Sequence, residues 1–323
     1  MENKDFNIKN GILKRYHGNE FHVVIPNSVN RIGDGAFNGC VNLTSIKIPK
    51  SVISIGNFAF RNCKNLKNIK IPNSVIEIEC GAFEGCTSLV SINIPNSIMR
   101  ICAWAFNNCT NLNSINIPNS VTSIGMFAFS GCNGLTNIKI PNYVTYIDYK
   151  VFYDCTSLTS IEIPNSVMQI DALAFKNCTS LKSIKMSNIA DTIGKGAFEG
   201  INKVKPQYNK NGALRAFKGF NKDWACREFK YEVGKSYHQD GKIECCENGF
   251  HACTNPLDVF NYYNGHLDEL RFAEVELSGE MDFDDEDSKV AASDIRIIRE
   301  LTVQELFDIY NKMEKENENL CIK

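Results

Sequence analysis

The 323 residues suffice for one elongated repeat array and one further globular domain of ordinary size. A net charge of -2 with 22% charged residues lacks the basic excess that suits nucleic acid or an anionic membrane, so neither is expected as a partner. The N-terminus has no basic stretch followed by an apolar run, and no run of about 18 apolar residues occurs anywhere. With fourteen cysteines in so long a chain, this composition implies free thiols, a cytoplasmic location and no membrane insertion.

Residues 1–24 precede a repeat that fills residues 25–200 with eight units of 23 residues. Ile-Pro-x-Ser-Val begins at Ile25, Ile48, Ile71, Ile94, Ile117 and Ile163, with departures at Lys50, Ile98 and Tyr143 and a degenerate unit at Met186. Each unit then carries Ala-Phe-x-x-Cys-x-x-Leu-x-x-Ile, giving columns that run from Phe37 to Phe198, Cys40 to Cys178, Leu43 to Leu181 and Ile46 to Ile184. The Leu-x-x-Ile-x-Ile-Pro segment alternates as a half-buried strand does, and proline ends it. One such unit cannot bury its own faces, so the units must stack into a solenoid with each column a continuous apolar ladder.

Within that solenoid the cysteine column reads as small buried thiols between the Phe and Leu ladders, because parallel side chains rarely meet disulfide torsions. Cys80 and Cys102 fall outside the column. Two strand columns face solvent on the concave side. One is Ser/Asn and the other includes Lys47, Lys70, Lys139 and Lys185. Aromatic residues that anchor interfaces break the consensus in the adjacent units four to six, at Trp104, Phe127, Tyr143, Tyr146, Tyr149 and Tyr153, with Met126 beside them. These aromatics and the four lysines are the candidate contacts for a protein partner.

The pattern Val-x-x-Ile-Gly-x-x-Ala-Phe-x-x-Cys-x-x-Leu-x-x-Ile resembles the BspA-type leucine-rich repeat. That resemblance implies a right-handed solenoid of stacked short strands over residues 25–200, and makes residues 1–24, with Phe6 to Ile8, Gly11 to Leu13 and Tyr16 to Val24, its N-terminal cap. Many members of the family are surface adhesins.

Periodicity stops after Gly200, and residues 201–211 read as a polar linker broken by Pro206. From 212 to 323 the pattern predicts a small α+β domain. Its strands are Phe229 to Val233, Phe250 to Cys253, Phe272 to Leu277 and Ile295 to Ile298, with a short helix from Pro256 to Tyr263. A final helix starts near Val303, where Thr302 and Glu305 form a capping box. His251, Cys253, Cys245, Cys246, Cys226 and His238 are zinc-ligand types but include no Cys-x-x-Cys pair, so core packing is the preferred reading and no metal is expected. Glu280 to Asp287 reads as an exposed acidic loop, since an EF-hand would need glycine at Asp287 and glutamate at Ser293.

Segments Ala216 to Phe220, Tyr231 to Lys235, Cys246 to Cys253 and Asn255 to Phe260 resemble an uncharacterised domain of bacterial and phage proteins found beside repeat arrays. Lys218-Gly219-Phe220, Val233 to Tyr237 and Gly249 to Thr254 also resemble ADP-ribosyltransferase-like folds. That second resemblance implies NAD as cofactor, with Glu300 and His251 as site residues. The expectation from the whole chain is a non-enzymatic protein-binding scaffold without cofactor, the transferase being the alternative.

Overall fold

The computed structural model describes residues 4–186, 190–201, 204–226, 229–245, 247–284 and 287–321, the side chains of the last four excepted. Cys246, part of the possible zinc set, and Asp285 and Glu286 of the acidic segment lie outside the described residues.

The repeats coil into a solenoid whose every turn carries two strands. The expected strand is Ser45–Lys47 in the first full turn and recurs as Asn68–Lys70, Ser91–Asn93, Ser114–Asn116, Asn137–Lys139, Ser160–Ile163 and Ser183–Met186. A second strand of two residues, Arg31–Ile32 and its counterparts through Thr192–Ile193, forms another parallel ladder. Sequence reading missed it because two residues are too short for an alternation to register. Each ladder is interrupted once among the described residues. The breaks fall between Ser114–Asn116 and Asn137–Lys139 in the first ladder, and between Glu77–Ile78 and Arg100–Ile101 in the second.

Packing between turns follows the sequence columns. Rings from Phe37 to Phe198 stack with centroids 5.1 to 5.8 Å apart and planes within 15°. Tyr16 closes one end of the stack at 5.2 Å and Phe307 the other at 5.3 Å. In the cysteine column each thiol from Cys63 to Cys178 donates to the carbonyl of a phenylalanine in the preceding turn, Cys63 to Phe37 and Cys132 to Phe106 at 3.1 and 3.2 Å. Burial pushes the thiols of Cys86, Cys109, Cys132 and Cys155 far up from their ordinary range, so they stay protonated donors.

Both ends of the array are covered. At the start, an antiparallel hairpin of Phe6–Lys9 and Ile12–Tyr16 joins the second ladder through Arg31–Ile32, while His22–Val24 begins the first. At the far end Gly265–His266 pairs with Thr192–Ile193. The terminal helix Val303–Cys321 covers the last long strand, and its Asn311 side chain mimics a strand by accepting from Ile184 N–H at 2.9 Å and donating to Ile184 C=O at 2.8 Å. Tyr310 donates to the Leu181 carbonyl from a fully buried position. Residues 201–211 take part as well: Ile201 and Val204 are buried, and Gln207–Tyr208 pairs with Leu214–Asn221.

After the repeats comes an antiparallel sheet built on Leu214–Asn221, Ser236–His238, Phe250–Cys253, Leu270–Phe283 and Lys289–Leu301. Helical turns Pro256–Asp258 and Val259–Tyr262 and the C-terminal helix complete the α+β arrangement. The expected strand at Phe229 to Val233 shortens to Phe229–Lys230, paired among the described residues with Ala225–Cys226. The acidic segment is also not wholly a loop, because Glu280–Phe283 belongs to the long strand. Its carboxylates cap backbone donors, Asp282 accepting from Cys245 N–H at 2.7 Å and Asp287 from Lys289 N–H at 2.6 Å. The capping box at Thr302 forms as read, with Glu305 accepting from Thr302 N–H at 2.8 Å and donating its own N–H to Thr302 Oγ1 at 3.2 Å.

Candidate functional site

Two places in the molecule hold side chains that packing alone does not account for. The first lies on the turn that follows each two-residue strand. One position of that turn is left-handed in all eight units, with φ between 54° and 65°. Glycine fills it at Gly35, Gly81 and Gly196, as the backbone favours, but Phe58, Trp104, Phe127, Lys150 and Leu173 occupy the other five. A side chain there costs roughly 1–2 kcal/mol. Phe58 and Leu173 lie over the glycine of the next turn, where an added Cβ would sit 2.3 and 2.8 Å from them. Trp104, Phe127 and Lys150 of units four to six have no such glycine in the next turn, where Phe127, Lys150 and Leu173 stand instead.

Trp104 therefore stacks on Phe127 at 5.9 Å and 14°, and Phe127 meets Tyr149 edge-on at 5.4 Å. The Lys150 ammonium lies 4.6 Å from the Tyr153 ring centroid, 5.2 Å from Tyr149 and 5.6 Å from Phe127. Trp104 stays 37% exposed and Met126 39%. Lys150, which sequence reading overlooked, is the centre of the group; its signal was the alignment of that position with Trp104 and Phe127.

Two expected members of the patch lie elsewhere. Tyr143 stands in the column where Ser51, Ser74, Ser97, Ser120 and Ser166 donate to a carbonyl of the preceding turn. It is 66% exposed, on the turn before the two-residue strand rather than after it. Tyr146 belongs to that strand and donates to Asp171 at 2.5 Å; burial and the carboxylate push its phenol up. The lysine column is divided as well: Lys47 neighbours Lys70, whereas Lys139 and Lys185 flank Glu162.

The second place is a cavity of 590 Å³ in the C-terminal region, within the range of small-molecule sites. Lys218 and Gly219 line it from one strand, Gly249 to Cys253 from another, and Tyr262 and Tyr263 from the short helix. Gly219 is required here because a Cβ would fall 2.3 Å from the Tyr263 ring. That close approach brings the Tyr263 hydroxyl within 2.9 Å of Cys226 Sγ. Burial pushes the Tyr263 phenol and the Cys253 thiol up. Lys218, only 3% exposed, donates to the His251 carbonyl at 2.8 Å and faces the rings of Phe220 and Tyr231.

His251 thus lines the cavity and Glu300 does not. Glu300 sits on the long strand Lys289–Leu301, half exposed, 3.7 Å from Arg271. His238 is exposed too, bonded to Asp294 at 2.8 Å and Asp240 at 3.1 Å, which raises its imidazole pKa. Among the described residues no group of three or more His, Cys, Asp or Glu side chains is placed to hold a metal ion.

Comparison with family models places these features in context. The BspA type leucine rich repeat region matches residues 15–132 and 99–212. The chain belongs to that family. A domain of unknown function, DUF7666, matches residues 214–309 and so spans the cavity. Among solved structures, a leucine-rich repeat protein of T. pallidum is 31% identical, with a TM-score of 0.52 over 56% of this chain and 90% of that one. A leucine rich cell surface protein of Faecalibacterium prausnitzii is 28% identical over 61% of this chain and 73% of that one, with a TM-score of 0.42. No curated protein matches the chain. No helix among the described residues is long and apolar enough to cross a membrane.

Proposed function

We propose that the repeat array is a protein-interaction scaffold and that its contact surface is the aromatic group of units four to six. The observation that carries this reading is the run Trp104, Phe127, Lys150, three bulky side chains in a left-handed backbone position that glycine would fill without strain. Strain of that kind concentrates where function retains it. Exposed Trp and Tyr side chains of fixed geometry are the usual anchors of protein interfaces. The Ser, Asn and Lys columns of the long strands offer no such anchor and serve as a solvated face. The decisive experiment couples cross-linking to affinity capture from native lysate with the wild type and a Trp104→Ser/Phe127→Gly variant. A co-purifying protein lost from the variant, with the melting curve intact, is expected; full retention of every captured protein overturns the assignment.

A second reading concerns the C-terminal cavity. Two of the segments that resemble ADP-ribosyltransferase-like folds, at Lys218 to Phe220 and Gly249 to Thr254, come together around it. This convergence supports a nicotinamide nucleotide as ligand, with His251 at the wall and Glu300 outside. Isothermal titration of the full chain with millimolar NAD tests it. Binding weakened by altering a cavity residue, and untouched by Glu300→Gln, is the expected pattern; no heat of binding ends this reading and leaves the scaffold reading unaffected.

A further inference from the structure

The cavity wall holds a lysine and a cysteine in direct contact. The chain reaches this arrangement through a tight reversal: Asn221 accepts from Asp223 N–H at 3.0 Å and Ala225 N–H at 2.9 Å, and its carbonyl accepts from Trp224 N–H at 3.0 Å. Asparagine favours such turns because its side chain imitates a backbone acceptor. The reversal carries Cys226 back over the strand it has just left. Its Sγ comes to rest 3.7 Å from Lys218 Nζ and 2.9 Å from Tyr263 Oη. The lysine is fixed by the His251 carbonyl and two rings, so neither partner must search for the other.

The six ladder thiols from Cys63 to Cys178 are sealed in the solenoid core, but Cys226 is half-buried and lines the cavity. A small oxidant therefore has access to its sulfur. We propose that Cys226 and Lys218 form a covalent sulfur–nitrogen cross-link under peroxide, making this cavity a redox-responsive site. In the first step hydrogen peroxide oxidises the thiol to sulfenic acid and leaves as water. In the second the lysine, having released one proton to solvent, attacks the sulfur as the free amine; the S–N bond forms, the S–O bond breaks and hydroxide leaves, taking up one of the two amine protons as water while the other stays on the nitrogen. Thiol, amine and one peroxide thus give the sulfenamide and two waters, a condensation known for sulfenic acids and nearby nitrogen. The link ties the start of the reversal to its end and takes an ammonium and a thiol out of the cavity wall.

The test is peptide mapping by mass spectrometry of the full chain after mild peroxide, before and after dithiothreitol. A joined pair of peptides containing Cys226 and Lys218, lighter by two hydrogens and separated by the reductant, is expected. Cys253→Ser must retain the product, and Lys218→Arg must lose it while Cys226 still oxidises. A wild-type map showing a Cys226–Cys253 disulfide, or Cys226 carried to sulfinic acid with Lys218 unmodified, overturns the proposal without recourse to any variant.

Discussion

In the repeat array, six cysteines lie in register between phenylalanine and leucine ladders, and each thiol has one partner, a backbone carbonyl of the preceding turn. Beyond Gly200, Cys226 meets a lysine and a tyrosine at the wall of a cavity. The first arrangement is repeated and closed to chemistry. The second occurs once among the described residues and is open to small molecules. The contrast teaches that multiplicity in a repeat protein signals packing, while side chains that packing does not explain gather where the repeat is broken or has ended.

That contrast can be broken first at the core. Phe129 is fully buried between Phe106 and Phe152, at 5.5 and 5.8 Å. Phe129→Ala should cost about 3–5 kcal/mol, as large core truncations do, and lower the urea midpoint of the whole chain. A loss no greater than that of an exposed substitution would show that nearest-neighbour stacking does not stabilise the array. A smaller effect is expected at the junction. Asn311→Ala leaves the N–H and C=O of Ile184 without their side-chain partner, worth about 1–3 kcal/mol. Hydrogen exchange should then rise in the strand Ser183–Met186 and remain unchanged in Ser45–Lys47; a uniform rise along the array would deny the C-terminal helix its role as an edge cover. The smallest effect concerns that helix alone: Thr302→Ala removes its N-cap and should cost about 1 kcal/mol in thermal unfolding.

How much of each region was legible follows from the same contrast. The period, the apolar columns and the buried thiols could be read because every residue type is repeated at one spacing, so each column votes seven or eight times. The two-residue strands escaped, being too short to alternate. Tyr143 and Tyr146 looked like partners of Trp104 because they too break the consensus in units four to six; only the path of the coil places them before and within a short strand, while Lys150 sits after it. In the C-terminal region, Phe250–Cys253, the flanking helix and the Thr302 capping box were visible from local pattern. The acidic run hid a strand end because the Asp282 carboxylate is bonded to a backbone N–H far along the chain, that of Cys245.

The sequence by itself determined the solenoid, its spacing and its core, since a 23-residue period leaves stacked coils as the one way to bury such columns. Only the tertiary structure decided which irregular residues meet. The approach of Cys226 to Lys218 depends on a turn at Asn221, and the approach of Tyr263 to Cys226 on the missing Cβ of Gly219. Contacts of that kind join residues without a common spacing, and a periodic reading has no means of finding them.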